Sequence, residues 1–258
     1  MKPLFLIVLS FFLLSFNGDK VRKYLERSNI KGKVKSVTEF EYGPPKSSKK
    51  KKGKLYDKTV TICNNQGKWI ELYLYDSNNN IEQKNFRTYR IKDKQIEEKS
   101  YNKNDSLKFR EVYQYDSTWS YCLMEQSYSD VVDSSNSFDT KIEYKFDDIA
   151  NTIEEYDYEP NGIDTNSKYV KKFDDKGNMM EGDDYLNNVH KLSHKTIYKF
   201  DDNGNNIEVS GYESNGRLSS RYNCKYENFD NEGNWLKQIR LHNNEVELIT
   251  ERIIEYYK

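Results

Sequence analysis

The chain has 258 residues, with 41 Lys and Arg against 42 Asp and Glu and a net charge near −1. That balance excludes general nucleic-acid binding, which needs a basic face. Hydrophobic residues make up 35% and charged residues 32%, too thin a core for a thick globule, so a sheet whose units bury one face on their neighbours fits better.

Lys2 precedes a run from Leu4 to Phe16 that is apolar except for Ser10 and Ser15. This is the layout of a secretory signal and is short for a membrane span. Residues 1–18 are therefore expected to be a signal peptide, cut near Asn17 to Asp19; an uncleaved anchor is the alternative. The first Cys is Cys63, so lipoprotein processing is not expected. Residues 19–30 carry Val21, Tyr24 and Leu25 at helical spacing and read as a short lead-in helix.

Residues 31–258 read as one repetitive β-hairpin domain. Strands around Val34–Tyr42 and Leu55–Cys63 flank Gly43-Pro44-Pro45 and the basic block Lys49-Lys50-Lys51-Lys52-Gly53-Lys54. That block is a solvated hairpin tip; the other reading is a site for an anionic partner. A nine-residue phrase then sets the rhythm. Cys63 opens a worn copy ending at Glu71. Phe146 opens a degenerate copy, and Phe173-Asp174-Asp175-Lys176-Gly177-Asn178 and Phe200-Asp201-Asp202-Asn203-Gly204-Asn205 open the clear ones. Phe229 opens a looser copy. From Phe146 onward the spacings are 27, 27 and 29 residues, a period that means one supersecondary unit repeated.

Twelve residues after each opening comes a second phrase, as in Tyr158-Glu159-Pro160-Asn161-Gly162 and Tyr212-Glu213-Ser214-Asn215-Gly216. Gly and Asn supply the positive φ of tight turns, and the Asp or Asn ahead of them bonds its own backbone. Between the turns, apolar and polar residues alternate, as in Ile142, Tyr144, Phe146 and in Tyr222, Cys224, Tyr226, which is the half-buried strand pattern. Further turns fall at Lys92-Asp93-Lys94, Asn102 to Asp105 and Tyr115-Asp116-Ser117. Ser127 to Asp139 is a longer loop. The expected fold is all-β: about 14 to 16 strands in a repetitive antiparallel β-meander, a single curled or twisted sheet, solenoid-like.

Signals of chemistry are few. Cys63, Cys122 and Cys224 have no metal or redox spacing and read as small buried hydrophobes, with one disulfide left open. His190 and His194 are four apart but fall on a strand, where that spacing separates them by about 13 Å; His242 stands alone. The Asp-Asp-x-Gly-Asn turns meet neither the EF-hand order nor the calcium β-helix pattern. No nucleophile elbow or phosphate loop appears. No cofactor and no enzymatic activity are expected. The 22 Tyr suit shallow cores and binding surfaces alike, and Tyr156, Tyr158, Tyr198, Tyr212 and Trp235 are the candidate binding residues.

The phrase aromatic-Asp-x-x-Gly-Asn plus an apolar residue resembles the YD repeats of Rhs-type proteins. With the opening Lys31-Gly32-Lys33-Val34-Lys35-Ser36-Val37-Thr38-Glu39-Phe40 it resembles uncharacterised secreted proteins common in Bacteroidota. The resemblance covers most of the chain from Lys31 and implies a continuous, often curled β-meander and a sugar-binding label. The chain is short for the shell of the giant toxins, so no encapsulating role is expected. The functional expectation is a secreted, periplasmic or cell-surface module. It binds a glycan or envelope protein, or serves as a scaffold, without nucleic acid and without a stable membrane span after cleavage. The alternative is a carboxylate-dependent hydrolase of surface polysaccharide.

Overall fold

The computed structural model describes residues 30–45, 52–90, 95–117, 121–129, 140–159, 163–186 and 191–258. The signal segment, nearly all of the lead-in helix, Lys49 to Lys51, Lys92 to Lys94, most of the long loop and His190 lie outside the described residues.

Sixteen antiparallel strands follow one another: β1 (Val34–Tyr42), β2 (Leu55–Cys63), β3 (Trp69–Tyr75), β4 (Ile81–Tyr89), β5 (Gln95–Asn102), β6 (Leu107–Tyr115), β7 (Cys122–Ser129) and β8 (Thr140–Asp147). The second half is β9 (Thr152–Tyr158), β10 (Thr165–Phe173), β11 (Met179–Leu186), β12 (Leu192–Phe200), β13 (Asn206–Glu213), β14 (Leu218–Phe229), β15 (Trp235–His242) and β16 (Glu245–Tyr256). Each strand pairs with its neighbours in sequence, and β1 also pairs with β16, so the sheet is a closed barrel. This corrects the expectation of an open, solenoid-like sheet. The accumulated twist brings the two ends together, and closure satisfies backbone groups that an open sheet would leave at its edges.

The seam is built by residues far apart in sequence. The register runs from Val34–Tyr256 to Tyr42–Ile249. Arg252 bonds Glu39 at 2.7 Å and lies 3.3 Å from the Trp235 ring centre. Lys52, from the basic block, bonds Glu251 at 2.6 Å and sits 3.8 Å over the Tyr42 ring. Asn234 bonds the Lys31 backbone at both its N–H and its carbonyl, at 2.7 and 2.9 Å.

The turns explain the repeat. In the Asp174 turn, Oδ1 accepts from the N–H groups of Lys176 and Asn178 at 2.9 and 2.8 Å, and Oδ2 accepts from Asn178 Nδ2 at 2.8 Å. Asp201 repeats this with Asn203 and Asn205, and Asp230 with Glu232 and Asn234. Asn64 and Asn102 accept the same pair of backbone bonds with an amide oxygen. Gly177, Gly204 and Gly233 have φ of 84°, 81° and 80°, a region closed to most side chains.

Side chains alternate between the two faces. One set holds Glu39, Arg252, Tyr113, Glu125 and Tyr144. Burial pushes the hydroxyls of Tyr113 and Tyr144 and the Glu125 carboxyl up, so this set faces the lumen. Near the nine-residue turns the wall carries the buried residues Val34, Val37, Cys63, Cys122, Ile153 and Phe173. Toward the other rim the lumenal wall turns polar. A ring of sixteen strands is wider than its side chains fill.

Candidate binding groove

The structure divides the predicted binding residues between the two faces. Tyr198 pairs with Val209, and Trp235 packs on Tyr226 (5.4 Å) under Arg252, both on the lumenal set. Tyr156 and Tyr158 are outward on β9, and Tyr212 is outward on β13. The five do not form one surface.

The outward tyrosines belong to a ladder around one rim. In six hairpins a cation stands opposite the Tyr that opens the second turn: Lys58–Tyr75, Lys84–Tyr101, Arg110–Tyr128, Lys141–Tyr158, Lys168–Tyr185 and Lys195–Tyr212. In four of them the cation lies over the ring, at 3.9 Å for Tyr75, 5.6 Å for Tyr128, 4.9 Å for Tyr158 and 4.6 Å for Tyr185. Tyr156 is covered by Lys145 at 4.2 Å and bonds Glu154 at 2.7 Å. Such pairs bind neighbouring strands and occupy a ring face. Tyr156 and Tyr158 are thus wall fasteners, not free stacking platforms.

Two steps of the ladder differ. Lys84 turns to Asp105 at 2.5 Å, and Tyr101 packs edge-on against Phe86 at 5.7 Å. Lys195 turns to Glu181 at 2.8 Å and Asp183 at 3.2 Å. Burial opposes ionisation of Glu181, but Lys172 and Lys195 together hold its carboxyl down to about 2. With Lys195 drawn away, Tyr212 keeps neither a cation nor a ring partner among the described residues. Its ring lines an open groove of about 350 Å³ with Leu192, Ile197, Lys195, Glu213, Ser214 and Gly216.

The groove has an apolar floor and a polar edge. Leu192, Ile197 and the Tyr212 ring form the floor. Arg217 fixes Glu213 through Nε at 3.1 Å and through a second guanidinium nitrogen, and the Ser214 side chain is exposed at the tip. An aromatic plane beside oriented polar groups is suited to a flat ligand with C–H faces and hydroxyl edges. Sequence reasoning named Tyr212 but missed its companions. The available signal was the cation seventeen residues before the Tyr (75 − 58, 158 − 141, 212 − 195).

The other candidate groups are engaged elsewhere. The three Cys form no disulfide; Cys63 and Cys122 are buried and Cys224 half-buried, and burial pushes the Cys63 thiol up. His194 lies by Gly211 on the lumenal set, and His242 stacks on Tyr222 at 4.9 Å. Among the described residues no three His, Cys, Asp or Glu side chains gather as a metal site. The lumenal wall holds one further group of interest. Burial and the neighbouring Glu111 raise the Glu125 carboxyl to about 7.

Fold and groove define the class: a closed antiparallel β-barrel built from repeated hairpins, with an aromatic groove on its outer rim. No family model and no curated protein matches the chain. Among solved structures, a protein of unknown function from Bacteroides fragilis matches at 16% identity and TM-score 0.33, over 42% of this chain and 86% of that one. A porin-like protein from Bacteroides uniformis matches at 8% identity and TM-score 0.36, over 88% and 98%. The Rhs/YD-repeat toxin structure TcdB2-TccC3-TEV matches at 12% identity and TM-score 0.32, over 75% of this chain and 10% of that one. At these scores the likenesses carry no statement of function for this chain.

Proposed function

We propose that the protein is a secreted or envelope-associated, non-catalytic module of the YD/Rhs-like repeat kind that binds a glycan or a protein partner through the Tyr212 groove. The observation that carries this reading is the uncovered Tyr212 ring: four of the six ladder tyrosines lie under a cation and Tyr101 packs edge-on against Phe86, while Tyr212 faces a groove. The charged and apolar layout of Lys2 to Phe16 supports export. The outward wall supports a barrel in water. It carries ion pairs such as Lys172–Glu181 and Lys237–Glu227, where a lipid-embedded barrel needs an apolar band.

The test is a binding screen on envelope polysaccharides and native envelope extracts, with Tyr212→Ala alongside the parent. Loss of a specific ligand in Tyr212→Ala, with the far-ultraviolet circular dichroism of the parent retained, is the expected result. A ligand bound equally by both proteins would remove the groove from the reading.

A second reading rests on Glu125. A carboxyl raised to about 7 beside Glu111 has the protonation balance of a general acid, as a carboxylate-dependent hydrolase needs. Turnover of any polysaccharide in the same screen, lost in Glu125→Gln, would favour it over the binding module.

A further inference from the structure

Four acids stand in a row on the lumenal wall, one on each of four strands: Glu98 on β5, Glu111 on β6, Glu125 on β7 and Glu155 on β9. Glu98 and Glu111 are directly opposite in register, Glu125 is opposite Tyr113, and Glu155 is opposite Tyr144. The outer two have cations. Arg87 bonds Glu98 at 2.9 Å, with both side chains nearly buried, and Lys171 bonds Glu155. Among the described residues the middle two take hydroxyl donors and bond each other. Tyr113 donates to Glu111 at 2.5 Å and Tyr144 to Glu125 at 3.0 Å. Like charges side by side on one sheet face oppose strand pairing, and this pair stands beside the β7–β8 ladder, which among the described residues runs from Met124–Glu143 to Ser127–Thr140.

We propose that the β6–β7–β8 junction is a proton-operated latch: one proton held between Glu111 and Glu125 keeps the β7–β8 ladder closed, and its loss loosens that one seam of the barrel. Tyr144 belongs to β8 and its bond to Glu125 crosses the seam, so the hydroxyl reads the charge on the carboxyl and passes it to the ladder. The groups facing Glu125 are Glu111 and Tyr113 from β6, Tyr144 from β8 and Glu155 from β9, with Glu98 beyond. Two like charges appear there when the proton leaves. Burial first, then Glu111, lift the Glu125 carboxyl from 4.5 to about 7. The closed form therefore gains from the proton at low pH and loses that gain as pH rises through about 7. Acidification closes the seam and mild alkalinity opens it. This inference is independent of the Tyr212 groove.

Native-state hydrogen exchange of the full barrel tests it, with protection factors compared between about pH 6 and pH 8. One linked proton lowers protection by at most about tenfold per pH unit between the ordinary carboxyl pKa and the raised one, and the fall levels off above about pH 7. The expected result is a severalfold fall confined to β7 and β8 amides, with β1–β16 amides unchanged. Glu125→Gln should abolish the fall. Glu111→Gln, a second variant should the first fold poorly, should move it to lower pH, because Glu125 then loses its charged neighbour. Protection in β7 and β8 that does not change with pH would overturn the latch. So would a fall shared by all strands, or one that persists in Glu125→Gln.

Discussion

Seven strand connections lie at one rim of the barrel and eight at the other, and the two rims differ in what they bury. At the rim of the nine-residue turns, Val34, Val37, Cys63, Cys122, Ile153 and Phe173 are buried. At the opposite rim the tyrosine of each second turn lies outside, mostly under a cation. One rim is held by burial of apolar area, worth about 25 cal/mol per Å². The other is held by pairwise surface contacts, each worth on the order of 0.5–1 kcal/mol. The repeat therefore specifies turns at both ends, while most of the buried apolar residues sit at one, with Leu248 and Ile249 of β16 nearer the other. That leaves the tyrosine rim able to vary, and the Tyr212 groove is one such variation.

The largest expected difference between the rims comes from truncation. Ile153 is 1% exposed at the rim of the nine-residue turns, so Ile153→Ala should cost about 3 kcal/mol, transfer and cavity together. Tyr158→Ala at the other rim removes one ladder step and should cost about 1 kcal/mol. Denaturant unfolding of both variants checks the ratio. Equal losses would mean that the apolar layer is not the core of the fold.

Turn chemistry should not distinguish the rims. Gly204 at one and Gly216 at the other have φ of 81° and 82°, and Ala in either is strained by about 1 kcal/mol. The space around both is open or at ordinary contact, so the cost comes from the backbone alone. A neutral Gly204→Ala beside a damaging Gly216→Ala would show that the two turn types do unequal work.

The smallest expected effect is Asp174→Asn. Asn64 already accepts the same two backbone bonds in its own turn, so the variant should change stability by less than about 0.5 kcal/mol at pH 7. Its signature lies in acid. Burial pushes the Asp174 carboxyl up, but bonds from Asn178 and Lys176 outweigh it and hold the carboxyl below the usual 3.8. A lowered folded pKa gives stability that is present above 3.8 and lost as pH falls through the folded value. Acid unfolding of Asp174→Asn should thus be shallower than that of the parent. An identical acid limb would mean that the turn carboxylate contributes nothing to it.

Much of the fold was legible in the chain because turns and strand alternation are local properties. The Asp174 and Asp201 phrases announced their turns, and the alternation at Ile142, Tyr144 and Phe146 announced a strand with one face inward. The binding residues were read less well. The sequence reports aromatic content and period, while the partner of each ring depends on register across the hairpin. Tyr158 and Tyr212 are equivalent in the repeat, yet Lys141 covers one and Lys195 leaves the other.

By itself the sequence determined the repeat, its two turns per unit, the strands between them and their order, because each follows from residues within a few positions of one another. Only the tertiary structure decided closure. Pairing β1 with β16 joins Glu39 to Arg252 and Lys31 to Asn234, contacts that no local pattern encodes and that arise from twist summed over all sixteen strands. The same closure set which face became the lumen. It placed Glu111 and Glu125 on the desolvated wall, and it left Tyr212 on the outside with no cation or ring against it among the described residues.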